Sequence, residues 1–218
     1  METLELIREF VNTADLEEGS DKLVDARGLQ HWLVFHGLAQ LRHRATDADA
    51  AEARAVREAL RDLLSAHTGV EVDRDVASRT LDIAARNAGL SVRFIDGAIA
   101  FVPEAHGTTG GLGGLLAAVG EAIADGSWQR LKACRSESCR WAFIDNARNR
   151  SRQWCDMAIC GNREKARNFR QNVCMSYIRA AIADGHTFTM TSFSIKKYWH
   201  PSMVVMVKKR VEKMRRIL

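Results

Sequence analysis

No apolar run in this 218-residue chain approaches the ~18 residues of a membrane span. Its first residues, Met1-Glu2-Thr3-Leu4-Glu5, are acidic and amphipathic where a secretory leader would be basic. No long polar tract interrupts a composition that is 46% apolar, so most of the chain is expected to fold. Paired carboxylates and nucleophile–base spacings are also missing. The glycine-rich stretch Gly107-Thr108-Thr109-Gly110-Gly111 lacks the Gly-Lys-Ser/Thr ending that would set a lysine on phosphates. It reads as a flexible connector in a loop from His106 to Gly111. These absences point to a cytoplasmic protein without catalytic chemistry and without a membrane partner. In a reducing compartment the five cysteines read as metal ligands or packed thiols before they read as disulfides.

Charge is present but unevenly placed. Residues 1–129 carry 12 Lys/Arg against 21 Asp/Glu, net −9, whereas residues 130–175 and 176–218 each carry +7. An acidic first part followed by a basic last third suits a chain of which only one end meets a polyanion. The acidic part is patterned for helices. Leu29, Trp32, Leu33 and His36 follow Asp25 as a cap and stop at Gly37. Val56, Leu60, Leu63, Leu64 and His67 form a second stripe that starts near Asp47 or Asp49 and ends at Gly69. A third stripe, from Asp73 to Gly89, presents Val76, Thr80, Ile83, Ala84 and Asn87. Leu90, Val92 and Phe94 then alternate up to Asp96-Gly97, and Ile99 and Phe101 alternate back, which is the pattern of a hairpin with a two-residue turn. A last helix carries Leu112, Leu115, Leu116, Val119 and Ile123 and stops near Gly126. His31, His36 and His43 do not share a helix face and read as structural or surface histidines.

The chemistry lies further on. Four cysteines are spaced Cys134-x4-Cys139, then fifteen residues, then Cys155-x4-Cys160. Two short cysteine loops joined by a longer arm meet the requirement of a tetrahedral Zn2+ site, one structural ion with four thiolates. With all four positions filled by cysteine, no coordination site is left for a catalytic water. Between the pairs, Trp141 to Asp145 and Arg152 to Trp154 read as two short strands joined by the turn-rich Asn146 to Ser151. That tip places Arg148, Asn149, Arg150 and Arg152 on a projecting loop suited to phosphates and guanine edges. After Cys160, Gly161 lets the chain turn sharply at the metal. A basic helix then follows with Arg163, Lys165, Arg167 and Arg170; Arg163, Arg167 and Arg170 share one face.

Cys-x4-Cys followed by Trp154-Cys155-Asp156-Met157-Ala158-Ile159-Cys160-Gly161-Asn162-Arg163 resembles the CGNR zinc-finger family, as does the arm Phe143 to Arg152. The first part is similar to the ABATE-type domain that accompanies it, through Phe10-Val11-Asn12-Thr13 and through Leu29-x2-Trp32-Leu33 running into Gly37-Leu38. The resemblance covers roughly residues 1–172. It implies a bacterial, stress-responsive transcription regulator with Cys134, Cys139, Cys155 and Cys160 as zinc ligands. Such relatives usually stop soon after the basic helix, so residues 176–218 are a departure.

The fold expected is mainly α with a small β-hairpin. Residues 1–128 form a helical domain for sensing or assembly, able to take a small-molecule or protein effector. Residues 129–175 form a small four-cysteine zinc module of treble-clef-like or related type, made of a hairpin and a helix, that binds duplex DNA. Residues 176–218 are a basic extension. There, Thr187 to Ile195 partly alternates like a strand, and Val204, Val207, Val211, Met214 and Leu218 fall in a 4-3 spacing. Cys174 reads as a packed thiol. A homodimer would suit one small reader per chain, and DNA binding would place the protein on the nucleoid. Two alternatives remain open: RNA binding by stacking on Trp141, Phe143 and Trp154, or a zinc-stabilised protein-interaction module whose basic face docks an acidic partner, including the chain's own first domain.

Overall fold

Leu4, Ile7, Phe10 and Val11 recur at helical spacing and are buried, so residues Glu2–Val11 wind into α1 with that stripe inward. The computed structural model describes the backbone of residues 2–183 and the side chains of 2–172. A two-residue ladder, β1 (Ala14–Asp15) with β2 (Ser20–Asp21), reverses the chain into α2 (Ala26–Phe35). Asp25 caps α2 by accepting from the Gly28 N–H at 2.8 Å, and Gly37 closes it in the left-handed region. Helix α3 (Asp47–Ala66) opens on Thr46. The Thr46 hydroxyl accepts from the Asp49 N–H while the Asp49 carboxylate accepts from the Thr46 N–H, a capping box. Helix α4 (Arg74–Asn87) is capped by Asp73.

The hairpin is present where the alternation placed it, β3 (Ser91–Ile95) against β4 (Ala98–Val102), with Asp96 and Gly97 both at positive φ as its turn demands. Two expectations are corrected. The buried face of α4 is Ala77 and Ala84, with Ala88 following, while Val76 and Ile83 are exposed; α4 lies so close to its neighbours that alanine, not the larger side chains, fits inward. Residues 107–111 are not a loop either. They form the first turns of α5 (Gly107–Ala124). A Cβ on Gly110 would sit 2.2 Å from the Ala105 carbonyl oxygen, and one on Gly113 would sit 2.6 Å from the Ala88 Cβ and 2.7 Å from that of Pro103. The glycines let a central helix approach its neighbours. They do not break it.

Helices α1, α2, α3 and α5 enclose one core, with Phe10, Trp32, Leu33, Leu60, Leu64 and Leu115 at its centre. Two arginines are buried beside it. Arg57 donates to both Asp21 oxygens at 2.6 and 2.9 Å, and Arg61 bonds Glu58 and the carbonyls of Val11 and Ala14, tying α3 to the end of α1. After α5 the chain forms β5 (Leu131–Ala133) and β6 (Ala142–Ile144), an antiparallel pair. Leu131, Ala133 and Ala142 belong to the same core as the helices. Asn12 meets β6 edge-on, its amide donating to the Ala142 carbonyl at 2.9 Å and its carbonyl accepting from the Ala142 N–H at 2.8 Å. Thr68 and His67 at the end of α3 bond the Ala133 and Leu131 carbonyls.

Helix α6 (Asn162–Ala183) completes the described chain. Residues 1–165 make one compact unit and residues 166–218 a second, the division falling inside α6. The strand and 4-3 patterns of the tail lie outside the described residues, as does the side chain of Cys174. Among the described residues no helix is long and apolar enough to cross a membrane.

Candidate metal centre and its basic surface

Cys134 continues β5, its N–H bonded to the Trp141 carbonyl at 2.9 Å. The chain then folds into a tight turn in which Cys139 and Arg140 both donate to the Ser136 carbonyl, and Arg140 takes a positive φ to bring Cys139 back toward Cys134. The second knuckle is organised by Asp156, whose carboxylate accepts from the N–H groups of Ala158 and Ile159 at 2.6 and 3.0 Å, so that Met157–Gly161 forms a wide helical turn with Cys160 at its end. Gly161 does not serve a sharp turn: its φ is not positive. A Cβ there would lie 2.4 Å from the Met157 sulfur and 3.3 Å from Trp154, so it is close packing that favours glycine.

These two turns bring the four sulfurs within 4.8 Å of one another. Cys139 and Cys155 are 3.6 Å apart, and Cys155 and Cys160 3.7 Å. A regular tetrahedron with ~2.3 Å metal–sulfur bonds has edges of ~3.8 Å. The spacing therefore fits one ion and excludes a disulfide between these pairs. Cys134, Cys139 and Cys160 are buried, Cys155 is half-buried, and Trp141 and Trp154 pack against them. In the absence of a cation, hydrogen bonds from Cys139 and Cys155 bring the Cys134 thiol down to about 2, and the resulting thiolate pushes Cys139 up to about 12. Cys155 is driven upward by Cys134 and Cys139, and Cys160 upward by burial. Four crowded thiols hold one negative charge comfortably and more only with a thiophilic dication at their centre. Among the described residues this is the one cluster of metal-ligating groups, and His31, His36 and His43 do not converge.

The arginine loop is built differently from the hairpin expected. Residues 152–154 form no strand, and β6 pairs with β5, because Leu131 and Ala133 bring the apolar face that β6 completes. The loop instead wraps a buried ion pair, Lys132 to Asp145 at 2.8 Å. Asp145, fully buried, also accepts from the N–H groups of Ala147 and Arg152, and Lys132 donates to the carbonyls of Arg150 and Arg152. Four backbone groups of residues 147–152 thus terminate on two side chains. Burial opposes ionisation of Asp145, but Lys132 and the two N–H groups outweigh it and hold the carboxyl below its ordinary range. Arg150 is held in the left-handed region at φ 49°.

On this frame Arg148, Asn149 and Arg150 are exposed. Arg152 turns back, its guanidinium 5.1 Å above the Phe143 ring and bonded to the Cys155 carbonyl. Arg163, exposed, pairs with Glu17 at 2.7 Å, which raises its pKa, and Arg140 pairs with Asp62. Lys165 is exposed in the same unit; Arg167 and Arg170 are exposed in the second, where Arg170 donates to the Ala166 carbonyl. Sequence reading missed Lys132, Asp145 and Asn12 as organisers of this site. Apart from the Ala147 N–H beside Asp145, their backbone partners are 7 to 130 residues away, a distance at which no local spacing gives a signal.

Two family models match. One, the ABATE family, described as "Putative stress-induced transcription regulator", covers residues 4–126, more than half of the chain. The chain belongs to the ABATE family. The second, the CGNR zinc finger, covers residues 130–172, which contain the four cysteines, the arginine loop and the start of α6. A search of curated proteins finds no match. The resemblance read from Phe10 to Thr13 and from Trp154 to Arg163 is thereby borne out, and the first of these motifs acquires physical meaning. In this ABATE chain Phe10 fills the core, Asn12 grips β6 of the zinc finger, and Thr13 accepts a hydrogen bond from Arg57.

Proposed function

We propose that this ABATE-family chain is a DNA-binding transcription regulator whose zinc finger displays an arginine loop to duplex phosphates. One Zn2+ would be held by Cys134, Cys139, Cys155 and Cys160 and would serve structure alone, since four thiolates leave no place for a reacting water. The observation that carries the reading is the display of Arg148 and Arg150: exposed, without an acidic partner among the described residues, on a loop fixed by the buried Lys132–Asp145 pair. Asn149 offers a side-chain amide between them; Arg163 and Lys165 add basic side chains in the same unit, and Arg167 and Arg170 are basic side chains of the second. Arg152 supports the loop more than it reads DNA, because its guanidinium is engaged with Phe143 and Cys155. Loss of zinc would detach the second knuckle, and with it the anchor of Arg152.

RNA stacking has less support. Phe143 is buried, and Trp141 and Trp154, each half-buried, pack against the cysteines, which leaves less ring surface for bases. An acidic protein partner has some, since Glu17 and Asp62 of the chain's own first part already engage Arg163 and Arg140. For the ABATE part we infer a sensing role, and a cavity of about 460 Å3 lined by Leu38, His43, Pro103 and His106 offers space for a small effector. Competition between random duplex DNA and single-stranded RNA for the zinc-loaded chain separates these readings. Duplex should win. Preference for RNA would favour stacking, and no nucleic-acid binding would leave the acidic-partner reading.

A further inference from the structure

The four cysteines of the cluster are not equally protected. Cys134, Cys139 and Cys160 are 1%, 8% and 1% exposed, whereas Cys155 is half-buried. Cys155 also has cationic company, since the Arg152 guanidinium donates to its carbonyl at 2.7 Å. Reactive cysteines sit in partly exposed, electropositive surroundings, and Cys155 meets both conditions. Its sulfur has two thiol neighbours, Cys139 at 3.6 Å and Cys160 at 3.7 Å. Either pair needs to close by about 1.6 Å to reach the length of a disulfide.

Change at Cys155 is transmitted to the arginine loop through short links. Arg152 ends that loop and is anchored on the Cys155 carbonyl, while Lys132 and Asp145 hold the loop's other backbone groups. Gln153, between Arg152 and the cluster, is fixed by Arg135. The Arg135 N–H donates to the Gln153 carbonyl at 2.9 Å, and its guanidinium donates to the Gln153 side-chain oxygen at 3.2 Å.

We propose that Cys155 is an oxidation site for peroxide, and that its oxidation releases the zinc and slackens the arginine loop. Bound Zn2+ would hold the four cysteines as thiolates, the form that attacks peroxide. The Cys155 sulfur attacks one oxygen of hydrogen peroxide and the O–O bond breaks. The sulfur becomes a sulfenic acid, and the departing hydroxide takes up a proton to leave as water. The thiolate of Cys139 or Cys160 then attacks the Cys155 sulfur. An S–S bond forms, the S–O bond breaks, and a second hydroxide takes up a proton. Two thiolates lose two electrons, and one peroxide with two protons becomes two waters. Two thiolates then remain, too few for a closed tetrahedral site. The Cys155 turn is freed and Arg152 loses its anchor. The oxidation site stands apart from the DNA-binding reading; the effect on duplex affinity rests on it.

Titration of the zinc-loaded full chain with hydrogen peroxide tests this, in a Cys174→Ser background that removes the fifth cysteine. Dimedone should label Cys155 before any other cysteine. Peptide mapping should then find a disulfide from Cys155 to Cys139 or Cys160, with one Zn2+ delivered to a chromogenic chelator per disulfide formed. Duplex binding should be lost in step and return with a dithiol reductant and Zn2+. Cys155→His leaves a ligand that zinc accepts and no sulfur to oxidise. It should keep its zinc at the dose that strips the parent chain; if it fails to load zinc, the labelling order in the parent chain decides. First labelling at another cysteine, a disulfide without Cys155, or zinc retained after Cys155 is oxidised would overturn the proposal. A chain that never binds duplex would sink the DNA reading and leave the oxidation result to stand or fall on labelling and zinc release. Duplex affinity unchanged after the disulfide has formed would overturn the link to the arginine loop.

Discussion

Replacing Asp145 by Asn keeps the side chain's shape and removes the negative end of a pair in which Lys132 and Asp145 are both buried. Lys132 is left as an uncompensated buried charge, and breaking such a pair costs about 3–5 kcal/mol. Urea unfolding of Asp145→Asn should show a loss of that size. Duplex affinity should fall with it while zinc content stays at one ion per chain, because neither residue touches a sulfur. A loop held by the arginines alone would keep its affinity. The same carboxylate sets a pH dependence. Its pKa is lower in the folded protein than in the unfolded chain, so its contribution is complete above the unfolded value near ~4 and disappears as pH falls through the folded one. Arg148 and Arg150 were legible in the sequence as a cluster of charge; the pair that aims them was not. Lys132 on β5 and Asp145, just past the end of β6, are 13 residues apart and become neighbours only when β5 pairs with β6.

At the scale of elements, α5 shows why composition misleads. Glycine is the poorest helix former after proline, and three glycines among five residues read as a connector. The helix forms through them because it lies close against its neighbours: a Cβ on Gly110 would strike the Ala105 carbonyl oxygen, and one on Gly111 would crowd Leu33 and the Leu38 carbonyl. Gly113→Ala gains about 1 kcal/mol of helix propensity. It also forces a methyl against two Cβ atoms less than 3 Å away, and such overpacking costs about 1–3 kcal/mol. The second effect should win, so thermal unfolding of Gly113→Ala is expected at lower temperature than wild type; a more stable variant would contradict the packing argument. The hairpin and the caps at Asp25 and Asp73 were legible because their causes are local. The inward face of α4 and the pairing of β6 were not, because neighbouring elements choose them.

Across the whole unit of residues 1–165, the zinc finger and the helices share a core through Leu131, Ala133 and Ala142, with Asn12 gripping β6. Removal of zinc should therefore weaken the ABATE helices as well as the finger. In calorimetry, chelation should lower a single transition by roughly 10 °C or more, with recovery on adding Zn2+. Two transitions, the upper one unmoved by chelation, would show that the core is not shared in this way.

The central claim is that the arginine loop meets DNA phosphates, and the salt dependence of duplex binding tests it most directly. Each phosphate contact contributes about 0.9 to the slope of log K against log salt concentration. If Arg148 and Arg150 each neutralise one phosphate, Arg148→Ala combined with Arg150→Ala should bind more weakly on every duplex, with a slope shallower by roughly 1.8. An unchanged affinity and an unchanged slope in the double variant would contradict the account.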